Sequence, residues 1–345
     1  MIIYCKRREE PYKQLFENAE IAIWNENFSD VHRYLMRLRK QGVTDLGAYL
    51  HENAHLIETL VSSVKVRKVN KASLKMFEAQ SESQLLGSIQ NVFGPGAREI
   101  FIEEVCAIWE GHDVFRAEAS LRTFNGKVLT VIISLPVPKA EHGFRSIPVS
   151  ILDITERKES EDLIWRQANF DTLTQLPNRK LFADRLGQEI KKSKRSGASF
   201  ALLFIDIDNF KRINDTFGHG KGDGLLREFA LRITASVRES DTVGRQGGDE
   251  FCIILSEVND HCIVEKIIQK LLSALAIPFQ LGENSVTISA SIGISLYPKD
   301  TDKVEQLYQF ADRAMYGAKN AGRNRHSYFS DTQINATHDD STQVH

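Results

Sequence analysis

The chain has 345 residues, and its 44 Lys and Arg are nearly matched by 46 Asp and Glu, for a net charge of −2. With 42% hydrophobic and 26% charged residues it has room for about two globular domains, and it is neither a largely disordered chain nor a globally basic DNA binder. No apolar run approaches the roughly 18 residues that cross a bilayer, the start MIIYCKRREEPYK lacks the apolar core of a secretion signal, and Cys5, Cys106, Cys252 and Cys262 show neither zinc nor disulfide spacing, so free thiols in a reducing cytoplasm are expected.

Residues 12–155 mix helical and strand patterns. YKQLFENAEIAIW predicts a short helix running into a strand, and VHRYLMRLRKQG a helix with Val31, Leu35 and Leu38 on its apolar face. LTVIISLPV (129–137) and PVSILDI (148–154) predict strands, which makes this an α+β module. Residues 156–170, ERKESEDLIWRQANF, lack Gly and Pro and predict a helical connector with a partial apolar seam at Leu163, Ile164 and Ala168. Residues 331–345 are polar and are expected to be a disordered tail.

Residues 171–330 form a second α/β unit, more legible than the first. Pro177 and Asn178 open a helix that Gly197 ends. FALLFIDI is nearly all apolar, as in a central strand covered on both faces. A short helix over 210–217 precedes the glycine-rich GHGKGDG, read as a plain loop or as a place where glycines let backbone approach a nucleotide, and a long amphipathic helix is expected over 223–239. Gly247-Gly248 between TVGRQ and DEFCIIL predicts a tight hairpin. A helix over 259–275, a strand VTISASIGISLY over 286–297, a helix over 304–321 and an edge strand RHSYF complete the expected compact α/β sandwich.

Acidic residues stand in costly places. Asp206 and Asp208 end the apolar strand, and Asp249 and Glu250 sit on the glycine hairpin. If hairpin and strand pair, carboxylates converge at neighbouring strand ends, the oxygen-rich setting that Mg²⁺ prefers for phosphoryl chemistry; a lone acidic pair is better read as a solvated turn, and it is the two clusters together that favour a metal site. Lys319 and Arg323, four apart near the end of the last helix, would share a face and could bind a triphosphate or simply complement the helix dipole. Arg238 and Asp241 form an RxxD unit ending the long helix, either a surface ion pair or a binding element.

Separated motifs decide among these readings. DTLTQLPNR (171–179), FIDIDNFKRINDTFGHGKGD (204–223), GRQGGDEF (244–251), SIGIS (291–295) and AMYGAKNAGRNR (314–325) occur in order, and the second unit resembles the GGDEF diguanylate cyclase family. The resemblance implies a nucleotidyl-cyclase-like palm, a central sheet flanked by helices, that condenses two GTP into cyclic di-GMP and two pyrophosphates with two Mg²⁺ per site in a homodimer. It implies Asp206, Asp249 and the Ile207 carbonyl as metal ligands, with Asp249 and Glu250 as catalytic acids of the signature. Asn214 and Asp223 match the guanine-reading pair, His219 lies in the same segment, and Lys211, Lys319 and Arg323 match phosphate contacts. Arg238 and Asp241 match the inhibitory product site, while Gln269 stands where some relatives carry a further arginine.

The first unit resembles a PAS sensory domain, carried by FENAEIAIW, VNKASLKMFEAQSESQLLG (69–87) and DITERK (153–158), with a helical insertion over 28–64. His32, His51, His55 and His112 would be candidate haem ligands, though each is more simply a surface or satisfied histidine. The alternative for the whole chain is a catalytically silent receptor for GTP or cyclic di-GMP that signals through a partner. The presence of Asp206, Asp249, Glu250, Lys319 and Arg323 together favours the enzyme.

Overall fold

The structure is a computed structural model that describes residues 13–87, 89–258 and 260–330. Tyr12 at the expected start of the first domain, Cys5 and the expected tail at 331–345 lie outside the described residues. The chain divides into two compact units, Met1–Asp162 and Leu163–His345. No helix among the described residues is long and apolar enough to cross a membrane.

The first unit is built on a fully antiparallel sheet in the order β2-β1-β5-β4-β3, comprising β1 (Ala22–Asn27), β2 (Lys65–Val69), β3 (Val114–Arg122), β4 (Val128–Pro136) and β5 (Ile147–Asp153). β1 and β2 are sheet neighbours although 37 residues separate them, because three helices, Ser29–Lys40, Leu46–Glu52 and His55–Ser63, fill the gap. The stretch 28–64 is thus helical, as expected. Val31, Leu35 and Leu38 of the first of these helices are buried, as their spacing requires. β2 and β3 escaped the sequence reading: KVRKV and VFRAEASLR alternate charge with apolar residues over short runs. The Ala97–Glu110 helix, bounded by left-handed Gly96 and Gly111, buries Phe101, Val105 and Ile108 in the same core as the sheet. His32 stacks on Phe144 with ring centroids 4.0 Å apart and His112 pairs with Glu110, while His51 and His55 are exposed, so the histidines have ordinary explanations.

The connector is helical over Thr155–Asn169, and the division between units falls within it. Asp153 caps it by accepting from the Thr155 N–H and hydroxyl, and Leu163, Ile164 and Trp165 are exposed.

The second unit carries a sheet in the order β12-β11-β6-β8-β7, from β6 (Phe200–Ile207), β7 (Thr242–Gly247), β8 (Glu250–Leu255), β11 (Ala290–Tyr297) and β12 (Arg325–Tyr328). All eight residues of β6 are buried. Their side chains alternate between two cores. Ala201, Leu203, Ile205 and Ile207 pack with Phe229 and Ile268 of the His219–Ser236 and His261–Ala276 helices. Phe200, Leu202 and Phe204 pack with Phe182, Leu307 and Met315 of the Arg179–Ser196 and Val304–Asn320 helices. Helices on both faces explain the continuous apolar run, even though β6 is antiparallel to both β8 and β11.

Four local expectations change. GHGKGDG is not a loop: the break falls at Gly218 (φ 84°), and the long helix already runs from His219 to Ser236. The helix therefore stops before Arg238, and the RxxD unit lies in the following loop. The stretch VTISASIGISLY is divided, its first residue closing a separate hairpin of β9 (Phe279–Leu281) and β10 (Asn284–Val286), residues 287–289 lying outside any strand, and Ala290–Tyr297 forming β11. The last helix ends at Asn320, so Lys319 and Arg323 do not share a helical face.

β11 meets the Val304–Asn320 helix so closely that a methyl group on Gly293 would fall 1.9 Å from the Ala311 carbonyl oxygen and 2.1 Å from the Met315 nitrogen. Backbone on both sides has no rotamer with which to yield. Gly293→Ala is therefore expected to destabilise the second unit by about 3 kcal/mol or more, read as a lowered urea midpoint.

Candidate active site

The carboxylates named from the sequence meet at one end of the sheet. Asp206 stands directly opposite Glu250 in the β6–β8 ladder, and the Ile207 N–H donates to the Asp249 carbonyl at 3.3 Å. The turn into β8 is made by Gly247 (φ 143°) and Gly248 (φ 54°), backbone settings that a side chain would oppose. Asp206 continues the β6 face of Phe200, Leu202 and Phe204, which points it towards the last helix, where Lys319 Nζ pairs with its Oδ2 at 2.8 Å. Asp206 is only 7% exposed. Burial raises its pKa most, Lys319 opposes the rise, and the negative charges of Asp249 and Asp208 add to it. Glu250 is raised by burial and then by Asp206, Asp249 and Asp312.

Crowded like charge at a buried strand end is an environment in want of a cation. The donor set suits magnesium: two carboxylates and a nearby main-chain carbonyl are few, hard oxygen donors that leave room for water and phosphate. Among the described residues no three His, Cys, Asp or Glu side chains are grouped as a complete protein-only metal cage.

Asp208 is of another kind. Its carboxylate accepts from the Ser289 and Ser291 hydroxyls at 2.6 and 2.7 Å and from the Asn324 N–H at 3.1 Å, and its own N–H reaches the Ser289 carbonyl. Asp208 thus ties β11 to the loop after the last helix. Arg323 (φ 62°) and Asn324 (φ 49°) of that loop are both left-handed, which is uncommon outside glycine. Arg323 is thereby held beside the site by a fixed turn, its N–H on the Ala318 carbonyl at 3.1 Å.

The sequence reading missed Arg245. Its guanidinium donates twice to the Gly248 carbonyl, at 3.0 and 2.7 Å, and once to Asp171 at 2.8 Å. Asp171 also accepts from the Thr174 N–H and hydroxyl, and these bonds hold its carboxyl below the usual range although burial opposes them. The glycine turn is therefore strapped to DTLT through a residue of the GRQGGDEF motif. Both partners sat inside quoted motifs, but they are 74 positions apart.

Asn214 and Asp223 lie on successive helices, Phe210–Phe217 and His219–Ser236. The Asn214 side chain rests on Gly222, where an added methyl would come within 1.9 Å of its Oδ1, so the amide lies beside the turn that carries Asp223. Lys211 and His219 are exposed. In the loop after the long helix, Asp241 accepts from the Arg238 N–H at 2.9 Å and the Ser256 N–H at 3.0 Å. Its carboxylate organises backbone rather than forming the surface ion pair that spacing alone suggested, and Arg238 is exposed.

Residues 168–325 match the family model described as "Diguanylate cyclase, GGDEF domain". The chain carries a GGDEF domain. Over 195 residues it is 43% identical to the bifunctional diguanylate cyclase/cyclic di-GMP phosphodiesterase MucR of Pseudomonas aeruginosa, covering 56% of this chain and 28% of that protein. Over 158 residues it is 41% identical to the diguanylate cyclase TpbB of the same species, covering 46% of this chain and 36% of that protein. The crystal structure of the TpbB GGDEF domain covers 45% of this chain and 97% of that one, at 38% identity and a TM-score of 0.44. The chain spans little more than a third, or less, of the length of these curated relatives.

The charges around Asp206 in the GGDEF domain make a signed prediction. Asp249→Asn removes a like charge and is expected to lower the Asp206 pKa, whereas Lys319→Met removes the opposing cation and is expected to raise it. Carboxyl ¹³C titration of both variants reads the two directions.

Proposed function

We propose that the chain is a diguanylate cyclase of the cytoplasm that condenses two GTP into cyclic di-GMP, releasing two pyrophosphates. The observation that carries this reading is the meeting of Asp206, Asp249 and Glu250 with Lys319 at one strand end. The name of TpbB as a diguanylate cyclase supports it at 41% identity over this same domain.

Asp206, Asp249 and the Ile207 carbonyl would hold magnesium, two ions per site. When bound, magnesium supplies positive charge beside the α-phosphate and the leaving pyrophosphate. The protein's own groups do the rest. Asn214 and Asp223 read the guanine edge, an amide and a carboxylate that adenine would leave unsatisfied. Lys319 has three N–H donors, so it can keep Asp206 while reaching a phosphate oxygen. Arg323, held in its left-handed turn, and Lys211 extend the same positive lining, with His219 in the nucleotide segment. Asp249 is placed to accept the proton of a ribose 3′-hydroxyl, with Glu250 beside it. Each domain holds one GTP, so the attacking oxygen and the attacked phosphorus belong to two copies. A homodimer of GGDEF domains is thereby required, and dimer geometry is the natural point of control.

The antiparallel sheet of the first unit, with its helices, supports a PAS-like sensor. The exposed Leu163, Ile164 and Trp165 support a connector helix that pairs with its copy. Arg238 and Asp241 are read as a product-binding site, the exposed guanidinium gripping cyclic di-GMP while Asp241 shapes the loop.

Incubation of the full chain with GTP and Mg²⁺ is expected to accumulate cyclic di-GMP. Asp249→Ala should lower turnover by about 10³-fold, and EDTA should abolish it. GTP binding without product would instead identify a receptor. Arg238→Ala should leave the initial rate intact and weaken inhibition by added cyclic di-GMP, measured as a raised half-inhibitory concentration.

A further inference from the structure

The cyclase reading uses nothing from the interior of the first unit. There, between the sheet and the Ala97–Glu110 helix, lies a cavity of about 40 Å³. Its wall is mostly apolar and includes the rings of Trp24, Phe93 and Phe101, but two carboxyl groups line it as well, Glu26 of β1 and Glu104 of the helix. They are 5% and 8% exposed. Both occupy core positions. Glu26 follows Ala22 and Trp24 on the inward face of β1, and Glu104 is bracketed by Phe101, Val105 and Ile108. Among the described residues no hydrogen bond or ion pair joins either carboxyl to another side chain, and the buried Trp24 indole N–H likewise has no partner.

Acids at core positions of two separate elements, converging on one cavity, are costly unless something neutralises them. Burial lifts Glu26 to about 8 and holds Glu104 well above the carboxylate range, with Glu26 adding to the rise. An anion would meet two like charges there. A metal ion would find two acids and otherwise apolar walls, with no third His, Cys, Asp or Glu grouped with them among the described residues. A protonated amine fits the whole lining: carboxylates accept its N–H bonds, and aromatic faces favour its cationic alkyl part. With about 10–15 Å³ needed per water, the space admits only a small one.

We propose that this cavity binds a small alkylammonium ion, held between Glu26 and Glu104 as a pair that carries one carboxylate and one protonated carboxyl, and lined by Trp24, Phe93 and Phe101. The inference names the ligand class of the sensor reading and stands on the first unit alone; its test reads binding, not cyclisation, so its failure and that of the cyclase reading are distinguishable. Binding is an exchange in which the ammonium enters with its own proton and the glutamate pair releases one to solvent. Glu26 and Glu104 are the titratable side chains that line the cavity. Ionised acid is the binding form, so affinity rises with pH up to about 8.

Methylammonium, ethylammonium and trimethylammonium chlorides, with acetate and KCl as controls, are titrated calorimetrically into the full chain at constant ionic strength. The expected result is one-to-one binding by at least one of the three, about ninefold tighter at pH 7 than at pH 6, with proton release shown by repeating the titration in buffers of different ionisation enthalpy. Glu26→Gln and Glu104→Gln, close in shape to the protonated acids, should each weaken binding at least about tenfold without lowering the melting temperature. Absence of binding by all three at about 10 mM in the cell, binding without proton release, or affinity that falls from pH 6 to pH 8 would each overturn the proposal. The proton-release arm uses the unaltered chain and decides the matter even if the variants do not fold.

Discussion

The second unit is organised around a charge problem at the end of its most apolar strand. β6 is buried along its whole length, yet its face towards the last helix finishes in Asp206, opposite Glu250 and next to Asp249. Like charges in a poorly solvated place raise one another's pKa and weaken the fold unless a cation answers them. Lys319 answers within the chain, from the far end of the Val304–Asn320 helix. The same excess of negative charge is the oxygen-rich setting that hard divalent cations prefer. Stability and chemistry therefore draw on one imbalance.

Holding that imbalance in register falls to groups that need not touch a nucleotide. The glycine turn has two positive-φ residues and no side chain with which to anchor itself, and Arg245 grips its carbonyl from one side while bonding Asp171 on the other. Across the strand end, Asp208 spends its carboxylate on two hydroxyls and the Asn324 N–H, fixing the left-handed turn that carries Arg323. Neighbouring acids of one strand thus have separate duties, and their bonding partners distinguish them.

The first unit poses the same problem and leaves it without an internal answer. Glu26 and Glu104 are as deeply buried as Asp206, but among the described residues no lysine lines the cavity they share. Burial accordingly favours their protonated forms. Where Asp206 is paired by Lys319, these two have no ionic partner among the described residues.

Sequence alone determined the elements whose signals are local or whose motifs are long. The apolar run of β6 predicts its burial, Asn178 and Gly197 mark a helix, Gly247-Gly248 marks the hairpin, and the ordered motifs around GGDEF single out the acids that meet at the strand end. Short alternating strands such as β2 and β3 carry too few residues for a period to stand out, and glycines in GHGKGDG suggested a loop where tertiary packing supports a helix. Partnerships across the chain were decided only by the fold: Lys319 with Asp206, Arg245 with Asp171, Asp208 with Asn324, and Glu26 facing the same cavity as Glu104. The reason is physical. Periodicity and turn chemistry act over a few residues, whereas a side chain's charge state and partners depend on which distant segments the sheet register and helix packing bring within a few ångströms.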